Sequence, residues 1–330
     1  LYAMADGSFA VWDPARNAWS QEEGKDSLER IKPYVFNNSE LWQGLRNPDS
    51  SLGMLCNGLL QDWGNWQRDN GEPFSRLRKA LKALSSSVVE EDTLEPGPLM
   101  SIRVGDTFEY PSIRMPDGSA VPIVHASSGV KRILSIAYLL VWSWQEHVKA
   151  SRLLAQDPAK QMIFLIDEVE AHLHPKWQRS IVRALLKIVD DLSPNTSVQL
   201  LLTTHSPLVM GSVEPLFDDG KDSWWDLDLD KTTKVPQLSK RQFIRLGDTN
   251  SWLTSEAFDQ RATGSIEAEE ALISARSLFL QGRDADLERV RAVKEKLEQV
   301  LGGTDPFWNY WRVVAKREGW DLAVADEINQ

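Results

Sequence analysis

Two acidic residues, Asp167 and Glu168, directly follow an apolar run that predicts a buried β-strand over residues 162–166. In open α/β sheets, ligands bind beyond the carboxyl ends of the strands, so acids at that point are placed for chemistry. An aspartate there can hold Mg²⁺, and the next acid can orient and polarise an attacking water. The alternative is that both acids only begin a loop or cap the next helix.

A histidine, His205, follows a second apolar run, which predicts a strand over residues 198–203. If the two strands are parallel neighbours, their ends bring Asp167, Glu168 and His205 around one point. An imidazole at that point can hydrogen-bond a γ-phosphate oxygen and so sense bound nucleotide. A lone strand-end histidine would instead be a surface residue.

Small residues, Ser127, Ser128 and Gly129, stand at the start of a helix predicted over residues 128–154. A helix N-terminus offers unpaired N–H groups and the positive end of the helix dipole, and small side chains let a phosphate approach closely. These residues therefore predict a phosphate-facing cap. An ordinary serine N-cap explains the same pattern without a ligand.

The elements that position these residues follow a β-α-β order. Residues 2–12 predict a hairpin, because the dipeptide Asp6-Gly7 accepts positive φ at both turn positions. Both strands of the β-α-β unit are almost wholly apolar, which predicts a parallel sheet covered on both faces. The acidic residues 214–230 predict a loop, and residues 265–301 predict helices. Further helices are predicted over residues 74–84 and 175–192, and further strands over residues 99–104, 108–115 and 121–126.

Three motifs together carry a resemblance to a known family. They are Ser-Ser-Gly-x-Lys-Arg at residues 127–132, FLIDEVEAHLHP at residues 164–175 and TTHSP at residues 203–207. In this order they resemble the ABC ATPases of the SMC, RecF and OLD group, especially the stand-alone ATPases of bacterial genome-maintenance and anti-phage systems. The resemblance covers about residues 121–213, and it implies an α/β fold. Separately, the tail over residues 252–269 resembles the C-terminal segment of Septu-type defence ATPases, whose partner is an HNH nuclease.

The implied fold is an ABC ATPase head with a mixed sheet, parallel core strands, flanking helices and an antiparallel β part. A mostly helical C-terminal region completes it. Residues 1–125 are expected to form the remainder of the ATPase lobe, with β-hairpins and a helical insertion. Residues 126–213 are expected to hold the signature, Walker B, D-loop and switch-histidine part. Residues 214–330 are expected to form an acidic linker and the helical region.

The resemblance also implies roles for single residues. Asp167 is the Mg²⁺ aspartate, Glu168 the catalytic glutamate and His205 the switch histidine. The nucleotide-binding residues implied by the signature and D-loop are Ser127, Ser128, Gly129, Lys131, His172 and His174. The signature departs from the family's Leu-Ser-Gly-Gly-Gln form, because Ala126, Ser128 and Val130 replace Leu, the first Gly and Gln.

One part of an ATP site is missing from the sequence. No Gly-x-x-x-x-Gly-Lys-[Ser/Thr] loop, which wraps the β- and γ-phosphates of ATP, occurs in the 330 residues. In the family this Walker A loop precedes a hairpin like that at residues 2–12, so we expect the sequence to begin downstream of it. The Q-loop glutamine is expected at Gln43 or Gln61.

Bulk properties limit the function classes. A formal charge of -11 argues against a surface that binds nucleic acid throughout, although a basic cluster at Arg76, Arg78, Lys79 and Lys82 leaves a local face possible. No apolar run approaches the roughly 20 residues of a membrane span. The single cysteine fits a reducing compartment, and we expect a cytoplasmic protein.

The expected function is an ATPase subunit, with ATP and Mg²⁺, of a nucleic-acid-directed or anti-phage complex. The resemblance implies a head-to-tail dimer with a second copy and a separate effector, such as an HNH nuclease or a toxin. The alternatives are a non-hydrolysing scaffold on the same fold and a transporter's nucleotide-binding subunit. A nuclease site within the chain would have to use Asp226, Asp228 and Asp230, which alternate as metal-binding acids can.

Overall fold

The computed structural model describes residues 1–17, 33–47, 53–85, 93–115, 117–192, 196–230, 232–258 and 264–320. The chain forms two compact units, Leu1–Gly247 and Asp248–Gln330. The strands are β1 (Tyr2–Ala3), β2 (Phe9–Val11), β3 (Tyr34–Phe36), β4 (Leu45–Arg46), β5 (Met54–Cys56), β6 (Glu95–Pro96), β7 (Ser112–Arg114), β8 (Ala120–Pro122), β9 (Gln161–Ile166), β10 (Ser197–Leu202), β11 (Trp224–Leu229) and β12 (Pro236–Arg241). The helices are α1 (Pro14–Asn17), α2 (Asn38–Gln43), α3 (Leu59–Asp69), α4 (Glu72–Leu84), α5 (Ser128–Leu153), α6 (Pro175–Gln178), α7 (Ile181–Leu192), α8 (Pro207–Val213), α9 (Thr249–Leu253), α10 (Ile266–Gln281), α11 (Leu287–Val300) and α12 (Phe307–Glu318).

The central sheet of the first unit is mixed, with the strand order β10-β9-β1-β2-β3. β10, β9 and β1 run parallel, whereas β2 and β3 extend the sheet in antiparallel fashion. The β-α-β order and the hairpin at the N-terminus are thereby confirmed. The register pairs Ile166 of β9 with both Leu202 of β10 and Ala3 of β1, so these parallel strands end at one level.

One face of this sheet is buried and the other is exposed. Phe164 and Ile166 are buried, whereas Ile163 and Leu165 between them are 52% and 38% exposed. On β10, Leu201 is 41% exposed. The prediction of a sheet covered on both faces is therefore wrong for the described residues. Successive side chains of a strand point in opposite directions, so each apolar run places apolar side chains on both faces of the sheet. The described residues bury only one of these faces.

The buried face packs against α5, whose residues 132–144 are all buried. Helix α4 packs against both α5 and α7, so three helices form one layer on this side. The buried polar groups around Asp62 in this layer are paired, as the physical cost of an unpaired one favours. Tyr138 donates to Asp62 across 2.8 Å, and Asn57 donates to the same carboxylate across 2.9 Å.

A buried histidine ties α1 to the second half of α5. His147 Nε2 accepts the N–H of Ala159 at 2.8 Å, so its proton lies on Nδ1, which donates to Asp13 at 2.8 Å. Burial acts to raise the pKa of Asp13, but hydrogen bonds from His147 and from the N–H of Ala15 outweigh it and lower the pKa overall. Asp13 thus serves both as the cap of α1 and as the anchor of α5.

Some predicted elements differ from the observed ones. The helix predicted over residues 175–192 is split into α6 and α7, where the Ser180 hydroxyl lies 3.3 Å from the Trp177 carbonyl oxygen and competes with regular helix bonds. The strand predicted over residues 99–104 is reduced to a single bridge from Met100 to Tyr110. Within the predicted loop 214–230, residues Trp224–Leu229 form β11, because their alternating pattern pairs with β12 and sets Leu227 opposite Leu238.

The second unit is helical, as predicted, and has a core of its own. Alanines on α10, Ala271 and Ala275, are fully buried and allow α11 to approach closely. Aromatic rings fill the space beside α12, where Phe279 and Trp311 have ring centroids 5.6 Å apart. None of the helices in the described part of the chain combines the length and hydropathy that a bilayer crossing requires.

Candidate functional site

The ends of β9 and β10 bring an acid and a hydroxyl into contact. Backbone hydrogen bonds fix both residues. The Asp167 N–H donates to the Ala3 carbonyl of β1 at 2.8 Å, and the Thr203 N–H donates to the Ile166 carbonyl at 3.0 Å. The Thr203 hydroxyl donates to Asp167 Oδ1 at 2.6 Å and accepts the N–H of Glu168 at 2.8 Å. One hydroxyl therefore holds the carboxylate of Asp167 and the backbone of Glu168.

The loop after β9 is tight and carries two unusual backbone conformations. Glu168 has φ 45° and His172 has φ 64°, a region that residues other than glycine rarely adopt. Each such residue costs on the order of 1–3 kcal/mol unless its surroundings hold it, and such strain clusters at functional sites. Two turns hold this loop, because Ala171 N–H donates to the Glu168 carbonyl and Leu173 N–H to the Glu170 carbonyl, both at 2.8 Å.

Glu170 fastens this loop to the segment after β10. Its carboxylate accepts the Thr204 hydroxyl at 2.6 Å and the backbone N–H of His205 at 2.5 Å. The imidazole of His205 is exposed, while its backbone is fixed from the β9 side. The predicted switch histidine and the loop of the predicted catalytic acid are thus physically joined.

A second link joins the same two segments one turn later. Ser206 caps α8 by accepting the N–H of Val209, and its hydroxyl donates to Gln178 of α6 at 2.8 Å. Gln178 in turn donates to the Leu173 carbonyl at 2.9 Å. The start of α8, α6 and the loop after β9 therefore form one hydrogen-bonded assembly.

The serines before α5 are exposed at its N-terminus. Ser127 caps the helix by accepting the N–H of Val130 at 3.4 Å, and Ser128 is exposed in the first turn. Gly129 is buried against the loop after β9, since a Cβ there would stand 2.7 Å from the His172 carbonyl oxygen and 3.2 Å from the Trp177 ring. The predicted signature loop and the predicted D-loop are in direct contact within one chain.

Two predicted nucleotide-binding residues have contacts within the chain. The ammonium of Lys131 lies 5.9 Å from the centroid of the Trp42 ring, a cation–π arrangement. His174 caps α6, where its Nδ1 accepts the N–H of Lys176 at 3.2 Å. Both contacts are structural, and the nucleotide-binding roles of these two residues remain predictions.

Arg132 is a buried cation beside the strand-end acids. It is 5% exposed, its guanidinium lies 5.4 Å from the Phe9 ring centroid, and none of its nitrogens has a hydrogen-bond partner among the described residues. Burial lowers the pKa of Arg132, and the negative charges of Asp6 and Asp167 oppose that effect.

Asp167 suits a Mg²⁺ ion that a nucleotide also holds. One of its carboxylate oxygens is engaged by Thr203, which leaves the other for a ligand. Mg²⁺ is usually bound through one or two carboxylates, waters and substrate phosphates, not by a cage of protein ligands. In keeping with this, no group of three His, Cys, Asp or Glu side chains in the described residues is arranged to hold a metal ion.

The acids proposed for a built-in nuclease do not converge. Asp226 pairs with Arg241 at 3.2 Å, while Asp230 accepts the N–H groups of Thr232 and Thr233 in the turn before β12. Within the described residues they form no metal-binding group. The turn contacts explain the alternating acids without a metal.

Both candidates for the Q-loop glutamine line the same surface groove. Gln43 at the end of α2 and Gln61 in α3 border a groove of about 870 Å³, together with His125 just before the signature serines. The groove does not separate the two candidates, and the Q-loop assignment stays a prediction.

Sequence reasoning missed two residues that the structure places at the site, Thr203 and Glu170. Both lie inside the quoted motifs, but their partners are on the neighbouring strand's end. The register of β9 and β10 is the signal that finds them. Paired acids, a linking hydroxyl and a fixed histidine at the ends of parallel strands are the arrangement expected of an ATPase-type α/β domain.

The chain belongs to the family described as "AAA domain, putative AbiEii toxin, Type IV TA system", whose model matches residues 1–211. This confirms the ATPase resemblance at family level. The chain is 27% identical over 169 residues to the retron Vc95 probable ATPase of Vibrio cholerae serotype O1 biovar El Tor, covering 49% of this chain and 29% of that protein. It is 30% identical over 97 residues to the retron Ec83 probable ATPase of Escherichia coli, covering 29% of this chain and 15% of that protein.

The chain spans less than a third of the length of these curated relatives. Among solved structures, the SMC head domain from Thermotoga maritima matches with 17% identity and a TM-score of 0.31, over 55% of this chain and 52% of that one. A SmcHead bound to the C-winged helix domain of ScpA matches with 16% identity and a TM-score of 0.30, over 54% and 45% of the two chains.

Proposed function

We propose that this chain carries the Walker B half of an ATP-hydrolysing site, which works in a head-to-tail dimer and controls a separate effector in an anti-phage complex. The observation that carries the proposal is the Thr203 hydroxyl, which bonds Asp167 and the backbone of Glu168 at the end of β9. The names of the relatives, two retron probable ATPases, support the defence setting.

In the proposed mechanism, Asp167 would hold Mg²⁺, and the ion, when bound, would neutralise charge on the phosphate oxygens. Glu168 orients and polarises the attacking water as general base. His205, fixed through its backbone, meets the γ-phosphate, and the exposed serines before α5 face the nucleotide of the second copy.

Hydrolysis on this proposal needs a phosphate-binding loop from a segment outside these 330 residues. The central sheet offers a place for its strand. Among the described strands, β10 has a hydrogen-bonded neighbour on one side only, and the exposed apolar side chains of Ile163, Leu165 and Leu201 lie on the same sheet. A parallel sheet is ordinarily covered on both faces, which favours a further strand and helix at this position.

The substitution Glu168→Gln in the full-length protein tests the proposal. Because Gln cannot accept a proton from water, we expect ATP turnover to fall by about a hundredfold or more. ATP binding should persist, and a nucleotide-retaining dimer should appear in size-exclusion chromatography with light scattering. Glu288→Gln, the same change at an exposed position on α11, should leave turnover unchanged.

Rapid ATP turnover by the Glu168→Gln variant would contradict the assignment. Binding of ATP without turnover by the unchanged protein would instead favour the non-hydrolysing scaffold. The effector is tested separately, by assaying nuclease activity with Mg²⁺ or Mn²⁺ for this protein alone and together with the product of the neighbouring gene.

A further inference from the structure

Glu170 lies two residues beyond Glu168, in the loop between β9 and α6. Both of its carboxylate oxygens are used, and both are used by the segment after β10. Oε2 accepts the Thr204 hydroxyl at 2.6 Å, and Oε1 accepts the backbone N–H of His205 at 2.5 Å. Two bonds to adjacent residues fix the rotation of that backbone as well as its position.

The bond from the His205 N–H to Glu170 joins the two segments beyond the point where the backbone bonds of the sheet end. The last backbone bond between the two segments runs from the Val169 N–H to the Thr203 carbonyl at 3.1 Å, just after the bond from the Thr203 N–H to the Ile166 carbonyl at 3.0 Å. Beyond it, the N–H of His205 finds its acceptor in Glu170. Hydrogen bonds to a carboxylate are roughly twice as strong as those between neutral groups, so this contact can hold a segment that has left the sheet.

The backbone of Glu170 is itself fixed. Its carbonyl accepts the N–H of Leu173 at 2.8 Å, and the carbonyl of His172 in the same turn packs against Gly129 of α5. A shift of the start of α5 against this loop therefore has a short covalent path to Glu170. From there it reaches the backbone of His205 through a single hydrogen bond.

We propose that Glu170 is a positioning residue for His205, which sets where the imidazole meets the nucleotide and relays movements at the start of α5 to it. The inference rests on the proposed function, because that function gives His205 a nucleotide to meet. Glu170 touches no reacting atom in this account, and its whole effect on hydrolysis passes through His205.

A double-mutant cycle in the full-length protein tests this. Small misplacements of a catalytic group can cost up to about a hundredfold in rate, so we expect Glu170→Ala to lower kcat by roughly tenfold or more. KM for ATP should stay within about twofold, because Asp167 and the groups that bind the rest of the nucleotide are untouched. In a His205→Ala background, Glu170→Ala should lower kcat by less than about twofold further.

A second variant and a second readout separate this role from simple stabilisation. Glu170→Gln keeps the size of the side chain but replaces one of the two accepting oxygens by an NH₂ group, which only donates, so kcat should fall between the wild-type and Ala values. Hydrogen exchange of the segment that contains the His205 amide should quicken by roughly tenfold in both variants, since that N–H loses its carboxylate acceptor. Glu288→Gln should change neither quantity.

The inference is overturned if Glu170→Gln retains wild-type kcat and exchange while His205→Ala loses activity. It is also overturned if the losses of Glu170→Ala and His205→Ala multiply in the double variant. Should Glu170→Ala fail to fold, Glu170→Gln in the same two backgrounds decides the matter. A wild-type kcat in His205→Ala contradicts the proposed function without reference to Glu170, and this inference then falls with it.

Discussion

The Thr203 hydroxyl is both a hydrogen-bond donor and a hydrogen-bond acceptor at the site. As a donor it fixes one oxygen of Asp167 at 2.6 Å, and as an acceptor it fixes the backbone N–H of Glu168 at 2.8 Å. That second bond also holds Glu168 at its positive φ of 45°. A group that orients a metal-binding carboxylate influences metal affinity without touching the metal.

Replacing Thr203 by Val should weaken Mg²⁺ binding. The shape of the side chain is preserved, but Asp167 loses its donor and the Glu168 N–H loses its acceptor. We expect the Mg²⁺ concentration for half-maximal ATP turnover to rise by about tenfold or more. Thr203→Ser keeps the hydroxyl and should stay near the wild-type requirement. An unchanged Mg²⁺ requirement in Thr203→Val would show that the hydroxyl does not orient Asp167.

At the scale of single residues, the sequence predicts the acids and His205 because each ends an apolar run. The parallel pairing that brings these runs together is observed, and the chemical roles of the residues remain proposals. Thr203 and Glu170 escape such reasoning because their roles depend on register. A shift of β10 by one residue would turn the Thr203 side chain to the other face and away from Asp167.

Among the elements at the site, α5 and the loop after β9 are in direct contact. Gly129 is helical and has no side chain, which lets the His172 carbonyl and the Trp177 ring lie directly against the first turn of α5. The exposed Ser127 and Ser128 therefore have a fixed relation to the loop that holds Glu168.

The substitution Gly129→Ala should destabilise the first unit. Helix propensity favours Ala over Gly by about 1 kcal/mol, but a Cβ placed 2.7 Å from a backbone oxygen forces a displacement. Overpacking of this kind typically costs about 1–3 kcal/mol, so we expect a net loss in the free energy of unfolding, measured by urea denaturation.

Gly64→Ala is the matched control for this prediction. Gly64 is also buried and helical, but its nearest neighbour is the flexible end of Arg68, 3.4 Å from the Cβ position. We expect this variant to be as stable as the wild type or slightly more stable. If Gly129→Ala matches it, the first turn of α5 does not need the close approach of the His172 carbonyl.

Element by element, periodicity predicts α4, α5, β9 and β10 closely, because long regular patterns leave few alternatives. It fails where a local side chain or a distant partner decides. Ser180 interrupts the predicted helix between α6 and α7, and β11 forms in a stretch whose acids suggested a loop. The exposed sheet face was also missed, since an apolar strand covered on two faces and one covered on one face have the same composition.

At the scale of the whole molecule, the proposed function makes this site one wall of a larger one. The strand-end acids lie in the first unit, the exposed serines at α5 have no acid facing them among their described contacts, and β10 has one hydrogen-bonded neighbour among the described strands. The first two features fit a nucleotide held between two copies, each of which supplies a different half. A head-to-tail interface of this kind, closed by symmetry, gives two equal sites per dimer.

Mixing two inactive variants tests this account most directly. Ser127→Arg blocks the phosphate-facing cap of one copy, and Glu168→Gln removes the general base of the other, so each protein alone should be inactive. The two variants are first mixed without nucleotide, and ATP and Mg²⁺ are then added. Half of the dimers should then contain one copy of each variant and therefore one intact site. We expect about a quarter of wild-type turnover to return. Turnover that stays at the level of the two separate variants would contradict a site shared between two copies.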